Sequence, residues 1–252
     1  AINIVAFGNS ILASALEADP VTDMGTISFF DNTGSFLNQV TVGSLPDMVT
    51  FTSDGLNLLV ANEGEPDNGI DPEGSVSIID LANGIQNATV KTAGFQAFNN
   101  QESALRTKGI RLFPEVGSSL TVAQDLEPEY ITISEDGSRA YVALQEANAI
   151  GVLDVESGEF IDIFGLGLKD YSQSGLDASD KDDAINIQPQ PVKGLYMPDA
   201  IASYTIDGET YIVTANEGDD RGDADEDERG DAIRLKNLDE VTSFGRNGLE
   251  LD

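Results

Sequence analysis

Apolar and polar residues alternate in short stretches along this chain, and one such pattern occurs three times. The copies run from Pro46 to Glu63, from Pro128 to Glu146 and from Pro198 to Glu217. Each has a proline and an acid, an apolar strand, an Asp-Gly pair, a second apolar strand, and an amide followed by Glu. Asp-Gly between two apolar runs is typical of a hairpin turn, because glycine adopts positive φ without steric cost. The sequence therefore predicts three antiparallel hairpins of one kind.

A second kind of hairpin accompanies the first. Near the N-terminus it comprises Thr26–Phe30 and Phe36–Val42, and its partners recur at Ser75–Gly84 and Ala149–Gly158. We expect each unit to combine the two hairpins into four strands, with three strands in residues 1–45. Repeated four-stranded units with variable loops are typical of propeller blades.

The predicted fold is all-β, a β-propeller of four-stranded antiparallel blades. The strand pattern accounts for about three and a half blades, fewer than the roughly four to eight of a closed ring. We therefore expect residues 1–252 to form a single β-propeller domain that is the N-terminal part of a larger ring. We expect at most two short helices. One would be capped by Asn99 or Asn100, run to Lys108 and end at Gly109.

The charge of the chain narrows the classes of partner. It has 45 acidic and 13 basic residues, a net charge of −32. Such a surface repels nucleic acid and anionic membranes and attracts cations. The chain has no histidine and no cysteine, which excludes histidine-based triads, zinc sites with histidine and disulfides. No apolar run approaches the ~20 residues of a membrane span.

The repeat predicts a cluster of carboxylates. Because consecutive strands alternate in direction, the start of the first strand and the end of the second lie at the same end of a blade. Clustered carboxylates favour a bound cation. The predicted metal ligands at this channel mouth are Asp47, Glu63, Glu129, Glu146, Asp199 and Glu217. The alternative for Asp47, Glu129 and Asp199 is a structural role, in which they accept backbone N–H groups at the strand entrance.

The outer loops are a second candidate metal site. Asp177, Asp180 and Asp182 lie in the segment GLDASDKDD, close enough in sequence for oxygen ligation of Ca²⁺ but without the spacing of an EF-hand. The loop Asn216–Asp231 is the richest in acids, and the alternative there is a solvated charge run.

Several segments together resemble a known family. They include SLPDMVTFTSDG, VANEGEPD, DLEPEYITIS, ALQEANAIGVLDV, LDASDKDD and TANEGDDR. These segments are similar to the choice-of-anchor I domain family, which includes secreted bacterial alkaline-phosphatase-like proteins and resembles the mesenchyme-specific cell-surface glycoproteins. The resemblance extends over nearly the whole chain. It implies a β-propeller, a secreted or cell-surface location, a calcium-rich setting and a parent chain that continues beyond Asp252.

Two functions are compatible with these patterns. The first is a secreted, calcium-binding β-propeller module that binds a ligand, a mineral surface or a partner, including the remainder of a longer parent chain. The alternative is a metal-dependent phosphoesterase, in which Ca²⁺ or another divalent metal at the channel mouth activates water and neutralises a phosphate-containing ligand. Neither reading assigns a catalytic residue.

Overall fold

The computed structural model describes residues 4–7, 11–113, 120–179 and 183–221. They belong to two compact units, one within Ala1–Leu166 and Met197–Glu217 and the other within Gly167–Tyr196 and Gly218–Asp252. The first unit consists mainly of antiparallel strands, which confirms the all-β fold. The extent of a single domain over residues 1–252 stays a prediction.

The N-terminal sheet has four strands, paired in the order of the chain. They are β1 Ile4–Phe7, β2 Ile11–Leu16, β3 Met24–Phe30 and β4 Phe36–Ser44. The prediction of three strands before residue 45 was wrong because β1 is short and carries no Asp-Gly signal. It pairs with β2 so that Ile4 lies opposite Ser14.

The second and third sheets confirm the predicted combination of two hairpins. The second contains β5 Pro46–Phe51, β6 Asn57–Asn62, β7 Ser75–Asp80 and β8 Thr89–Gly94. The third contains β9 Pro128–Ile133, β10 Arg139–Leu144, β11 Ala149–Asp154 and β12 Glu159–Gly165. All neighbouring strands within each sheet are antiparallel.

Two short helices lie between these sheets, α1 Glu102–Thr107 and α2 Val122–Asp125, after 3₁₀ turns at Ile85–Asn87 and Gln96–Phe98. The predicted cap of α1 was wrong, since Gln101 is the N-cap residue. Asn99 instead accepts a hydrogen bond from the Ala123 N–H through Oδ1, at 2.9 Å. The helix ends as predicted before Gly109, which has φ of 84°.

The second unit contains a small ladder and one more helix. Its elements are β13 Leu168–Asp170, α3 Tyr171–Ser174 and β14 Lys193–Leu195, with β13 antiparallel to β14. The described residues thus contain three short α-helices, one more than the predicted maximum of two. The third forms because the Asp170 side chain caps it by accepting from the Ser172 N–H.

The third copy of the repeat forms the hairpin β15 Pro198–Ile206 and β16 Glu209–Asn216 in the first unit. Three four-stranded sheets and one hairpin in the first unit correspond to the predicted three and a half four-stranded units. The turns of the copies differ. Asp54 and Asp136 each accept a hydrogen bond from the hydroxyl two residues earlier, whereas Asp207 and Gly208 form a tight turn with φ of 52° and 83°.

The core of the first unit lies between consecutive sheets. The middle of strand β6, residues 58–61, is apolar because both of its faces are covered. Leu58 and Val60 belong to the cluster with the first sheet, and Leu59 and Ala61 to the cluster with the third. Alternate residues of a strand point to opposite faces, so the second sheet packs between the first and the third.

Candidate functional site

The prolines and glutamates of the repeat lie at the same end of their hairpins. The Glu63 N–H donates to the carbonyl oxygen of Leu45 at 2.9 Å, and the Glu217 N–H donates to that of Met197 at 3.3 Å. Each bond closes the end of a hairpin beside the Pro-acid pair. The predicted placement of the two acids of a hairpin at one end is therefore confirmed for these two copies.

The middle copy departs from the predicted register. Pro46 pairs with Asn62 and Pro198 with Asn216, but Pro128 pairs with Leu144. Gln145, which follows Leu144, is thus the structural equivalent of Glu63 and Glu217. Glu146 lies one residue beyond the position that the sequence pattern predicted. The error arose because the pattern aligned the amide-Glu pairs, whereas backbone pairing sets the register.

The first strands of successive hairpins lie side by side, β5 against β9 and β9 against β15. This brings the acids at their starts, Asp47, Glu129 and Asp199, towards Glu63 and Glu146. We call these five residues the carboxylate cluster. Their charges act on one another's carboxyl groups, with Glu146 acting from a shifted position. Their role as metal ligands stays a prediction.

Burial and mutual repulsion raise the pKa of three carboxyls in this cluster. The pKa of Glu63 is raised to about 9, first by burial and then by Glu65, Glu127, Glu146 and Asp47. The pKa of Glu129 is raised to about 10 by burial and by Glu63, Glu146, Asp47 and Asp199.

Burial is also the main cause of the raised pKa of Asp47, followed by repulsion from Asp199 and Glu17. A desolvated carboxylate among other carboxylates favours either a bound proton or a bound cation. These residues therefore provide a region that can hold protons or positive charge.

Glu217 differs from the other predicted ligands. Its side chain is exposed, at the end of β16, and its charge is not among those that raise the pKa of Glu63 or Glu129. The structure does not bring it into the carboxylate cluster. The reason is that β16 is an edge strand among the described strands, so nothing in this part of the chain covers its end.

Two acids that the sequence reasoning did not assign to this region act on the cluster. Glu127 and Glu65 raise the pKa of Glu63, and Glu127 is itself buried. A signal for Glu127 was available, since it directly precedes Pro128 and so adds a third acid to that copy of the motif. The signal for Glu65 was its spacing, since it follows Glu63 by only two residues.

The predicted site in the outer loop is only partly described. Asp177 accepts a hydrogen bond from the backbone N–H of Asn186 through Oδ2, at 3.0 Å. This bond holds the loop closed, as does the bridge between Leu176 and Gln188. Asp180 and Asp182 lie outside the described residues, as does most of the acid-rich loop after Arg221.

The donor set of the carboxylate cluster suits a hard cation. It consists of carboxylate oxygens, the ligands that Ca²⁺ prefers. Within residues 4–7, 11–113, 120–179 and 183–221, however, no three acidic side chains are arranged to hold one ion together. Backbone carbonyls and water would therefore have to complete the coordination of a cation in this region. No helix in the same ranges is long and apolar enough to cross a membrane.

Solved structures that resemble this chain share little of its sequence. Hydrazine synthase from Kuenenia stuttgartiensis is 16% identical, with a TM-score of 0.40 over 60% of this chain and 39% of that one. A protein of unknown function from Desulfotomaculum acetoxidans is 14% identical, with a TM-score of 0.40 over 65% of this chain and 42% of that one.

Sequence comparison identifies a longer relative and a family. The mesenchyme-specific cell surface glycoprotein of Strongylocentrotus purpuratus is 35% identical over 137 residues, which cover 51% of this chain. The matched part spans only 18% of that glycoprotein's length. The profile of the choice-of-anchor I domain matches residues 1–250. The chain belongs to the choice-of-anchor I domain family.

Proposed function

We propose that this chain is a calcium-binding β-propeller module of a secreted or cell-surface protein. In this proposal the module binds a partner or a surface, and its cation lies in the carboxylate cluster. The similarity to a cell surface glycoprotein supports the location. The excess of acids over bases, 45 against 13, supports cations as ligands.

One observation carries the calcium proposal. Glu63 and Glu129 come from two neighbouring sheets, and burial raises both of their carboxyl pKa values far above the ordinary one. Repulsion from Glu146 and Asp47 contributes to both shifts. Without a cation, these groups hold protons at neutral pH. Calcium would displace the protons, because it binds the ionised carboxylates. A phosphate-containing ligand or a mineral surface would then contact the cation rather than the acids.

The propeller proposal rests on equivalent positions in the repeat. Leu59, Tyr141 and Val213 each lie opposite the fourth residue after the proline that starts their hairpin. Leu59 is buried against the third sheet, and Tyr141 packs against the cluster that contains Ile201 of β15. In both cases the following repeat covers the residue. Val213 is 55% exposed.

We infer that a further sheet of the parent protein covers this face of the β15–β16 hairpin. Tyr204, Ile206 and Tyr211 are also exposed, at 47%, 52% and 47%, and the rings of Tyr204 and Tyr211 stack with centroids 5.4 Å apart. A contiguous apolar face of this kind marks an interface. The remainder of a longer parent chain, continuing the ring of blades, is the partner that fits the repeat.

Calorimetric titration with CaCl₂ near neutral pH tests the calcium proposal. We expect the measured heat to depend on the ionisation enthalpy of the buffer, because binding releases protons from Glu63 and Glu129. Glu129→Gln should weaken binding by at least about tenfold, while Glu217→Gln, at an exposed site outside the cluster, serves as the matched control. No calcium binding at about 10 mM, or equal affinity in both variants, would contradict the proposal.

A further inference from the structure

A groove lies between the second and third sheets, at the end of the strands opposite to the carboxylate cluster. Its volume is about 500 Å³, within the ~300–1,000 Å³ typical of sites for small molecules. Asp80 and Lys91 line it from the second sheet. Asp136, Arg139, Asp154 and Glu156 line it from the third. The groove is independent of the proposed calcium site.

Lys91 connects the two walls of the groove through a hydrogen bond. Its Nζ donates a hydrogen bond to the carbonyl oxygen of Ser157, so a residue of β8 reaches the third sheet. The stem of Lys91 lies against Gly158, where an added Cβ would come within 2.6 Å of the lysine Cε. The absence of a side chain at residue 158 thus leaves the space that the lysine crosses.

The carboxylates of the third sheet are held in place before any ligand binds. Asp136 Oδ1 accepts hydrogen bonds from the Ser134 hydroxyl at 2.7 Å and from the Ser138 hydroxyl at 2.8 Å. These bonds, and that from the Ser138 N–H, lower the pKa of Asp136 to about 2. Asp136 is therefore ionised at neutral pH. All three of these hydrogen bonds end on Oδ1, so they leave Oδ2 able to accept one from a ligand.

Arg139 brings hydrogen-bond donors to the same groove. Its Nη1 donates to Asp154 Oδ2 and, at 3.1 Å, to the Ser138 carbonyl oxygen. The Asp154 Oδ1 in turn accepts from the Ser157 N–H at 2.8 Å. The guanidinium has five N–H donors, and these two bonds leave others for a ligand.

The groove therefore places groups that only accept beside groups that only donate. The side-chain carboxyl groups of Asp80, Asp136 and Glu156 can accept hydrogen bonds, and Lys91 and Arg139 donate them. A small cation in the groove would be repelled by Lys91 and Arg139, and a small anion would be repelled by the acidic side chains. A hydroxyl group both donates and accepts, so a ligand with many hydroxyls can satisfy both kinds of neighbour. Ile78 and Val155, both largely buried, add a small apolar area to the lining.

We propose that the groove between the second and third sheets binds a neutral oligosaccharide. Lys91 and Arg139 donate to sugar oxygens, and Asp136 and Glu156 accept from sugar hydroxyls. The site goes beyond the proposed function, because it uses no metal and none of the residues of the carboxylate cluster.

The probe is a set of four neutral hexasaccharides, namely cellohexaose, maltohexaose, xylohexaose and mannohexaose, titrated into the chain in excess chelator. NMR or calorimetry up to about 5 mM covers the range of weak sugar affinities. We expect at least one of them to bind, with affinity reduced about tenfold or more in Lys91→Met. Glu156→Gln, in an exposed turn, should also weaken binding. Lys169→Met, in the second unit, is the matched control for loss of a lysine.

Melting curves show whether each variant is folded, and Glu156→Gln supplies the test if Lys91→Met is not. Spermidine and hexagalacturonate serve as a cationic and an anionic competitor in the same assay. Binding of spermidine alone would replace the sugar with a cationic ligand and overturn the proposal. So would binding of none of the four sugars, or sugar binding that Lys91→Met and Glu156→Gln leave unchanged. Sugar binding in chelator that fails in these variants supports the groove whatever the outcome of the calcium titration.

Discussion

Glu63 and Gln145 occupy the same position in successive sheets, since each follows the residue that pairs with the first proline of its hairpin. An amide therefore stands in the third sheet where the second has an acid, and Glu146 approaches the cluster from the next position. Because the repeated position has one carboxylate fewer, there is less repulsion between acids at this end of the sheets. The acids that remain still raise the carboxyl pKa of Glu63 and Glu129.

The raised pKa values predict how stability depends on pH without calcium. In the unfolded chain Glu63 and Glu129 ionise near the ordinary value of 4.5, whereas in the folded chain they ionise at about 9 and about 10. Between these values the folded state binds more protons, so the free energy of unfolding falls as pH rises. We expect the melting temperature in chelator to drop by several degrees between about pH 5 and pH 9.

The double variant Glu63→Gln/Glu129→Gln is the control for this profile, because it retains the shape of both side chains and removes their titration. Its melting temperature should vary less over the same range. A wild-type melting temperature that stays constant or rises with pH in chelator would show that the two carboxyls are not held protonated in the fold.

Asn62 is predicted to be a structural amide. It is fully buried, accepts from the Gly43 N–H at 3.1 Å and donates to the Ser77 hydroxyl at 3.0 Å, so it links β4 to β7. Asn62→Ala leaves these groups unsatisfied and should lower the free energy of unfolding by about 1–3 kcal/mol. Asn216, opposite Pro198 as Asn62 is opposite Pro46, is exposed and gives the control. Urea denaturation should place Asn216→Ala within about 0.5 kcal/mol of wild type; equal losses would refute the assignment.

Leu59 and Val213 occupy equivalent positions in their hairpins, which allows a test of the proposed further sheet. Leu59→Lys buries a charge between two sheets and should prevent folding or lower the melting temperature drastically. Val213→Lys should leave the melting temperature of residues 1–252 nearly unchanged, since Val213 is 55% exposed. In a longer protein that carries the proposed further sheet, the same Val213→Lys should be destabilising. A tolerated Val213→Lys in that longer protein would exclude the predicted interface.

The phosphoesterase alternative predicts metal-dependent hydrolysis. Two basic side chains that a phosphate could contact have protein partners: Lys108 forms an ion pair with Asp162 at 2.6 Å, and Arg111 donates to the carbonyl oxygen of Glu146 at 2.9 Å. We expect no turnover of p-nitrophenyl phosphate above the buffer rate with Ca²⁺, Mg²⁺ or Zn²⁺. Turnover that Glu129→Gln abolishes and Glu217→Gln preserves would establish the enzyme instead.

Local chemistry was enough to predict much of the fold. Asp-Gly turns and apolar runs with a period of two specify hairpins through backbone conformation and side-chain direction, which depend on neighbours in the chain. The hairpins that begin at Pro46, Pro128 and Pro198 therefore formed where the repeat predicted. The alternation of strand direction was also enough to place Asp47, Glu129 and Asp199 beside the ends of second strands.

Tertiary structure decided what the repeat could not. Pairing between strands shifted Glu146 by one position, because hydrogen-bond register depends on the partner strand and not on the spacing of residue types in the sequence. Packing between sheets partly buried Glu63 and Glu129 but left Glu217 exposed, since only a following sheet can remove water from such a position. The groove beside Lys91 arises from two sheets whose residues are far apart in the chain. Solvation and distance between such residues are properties of the folded molecule, and they set the charge and the ligands of its sites.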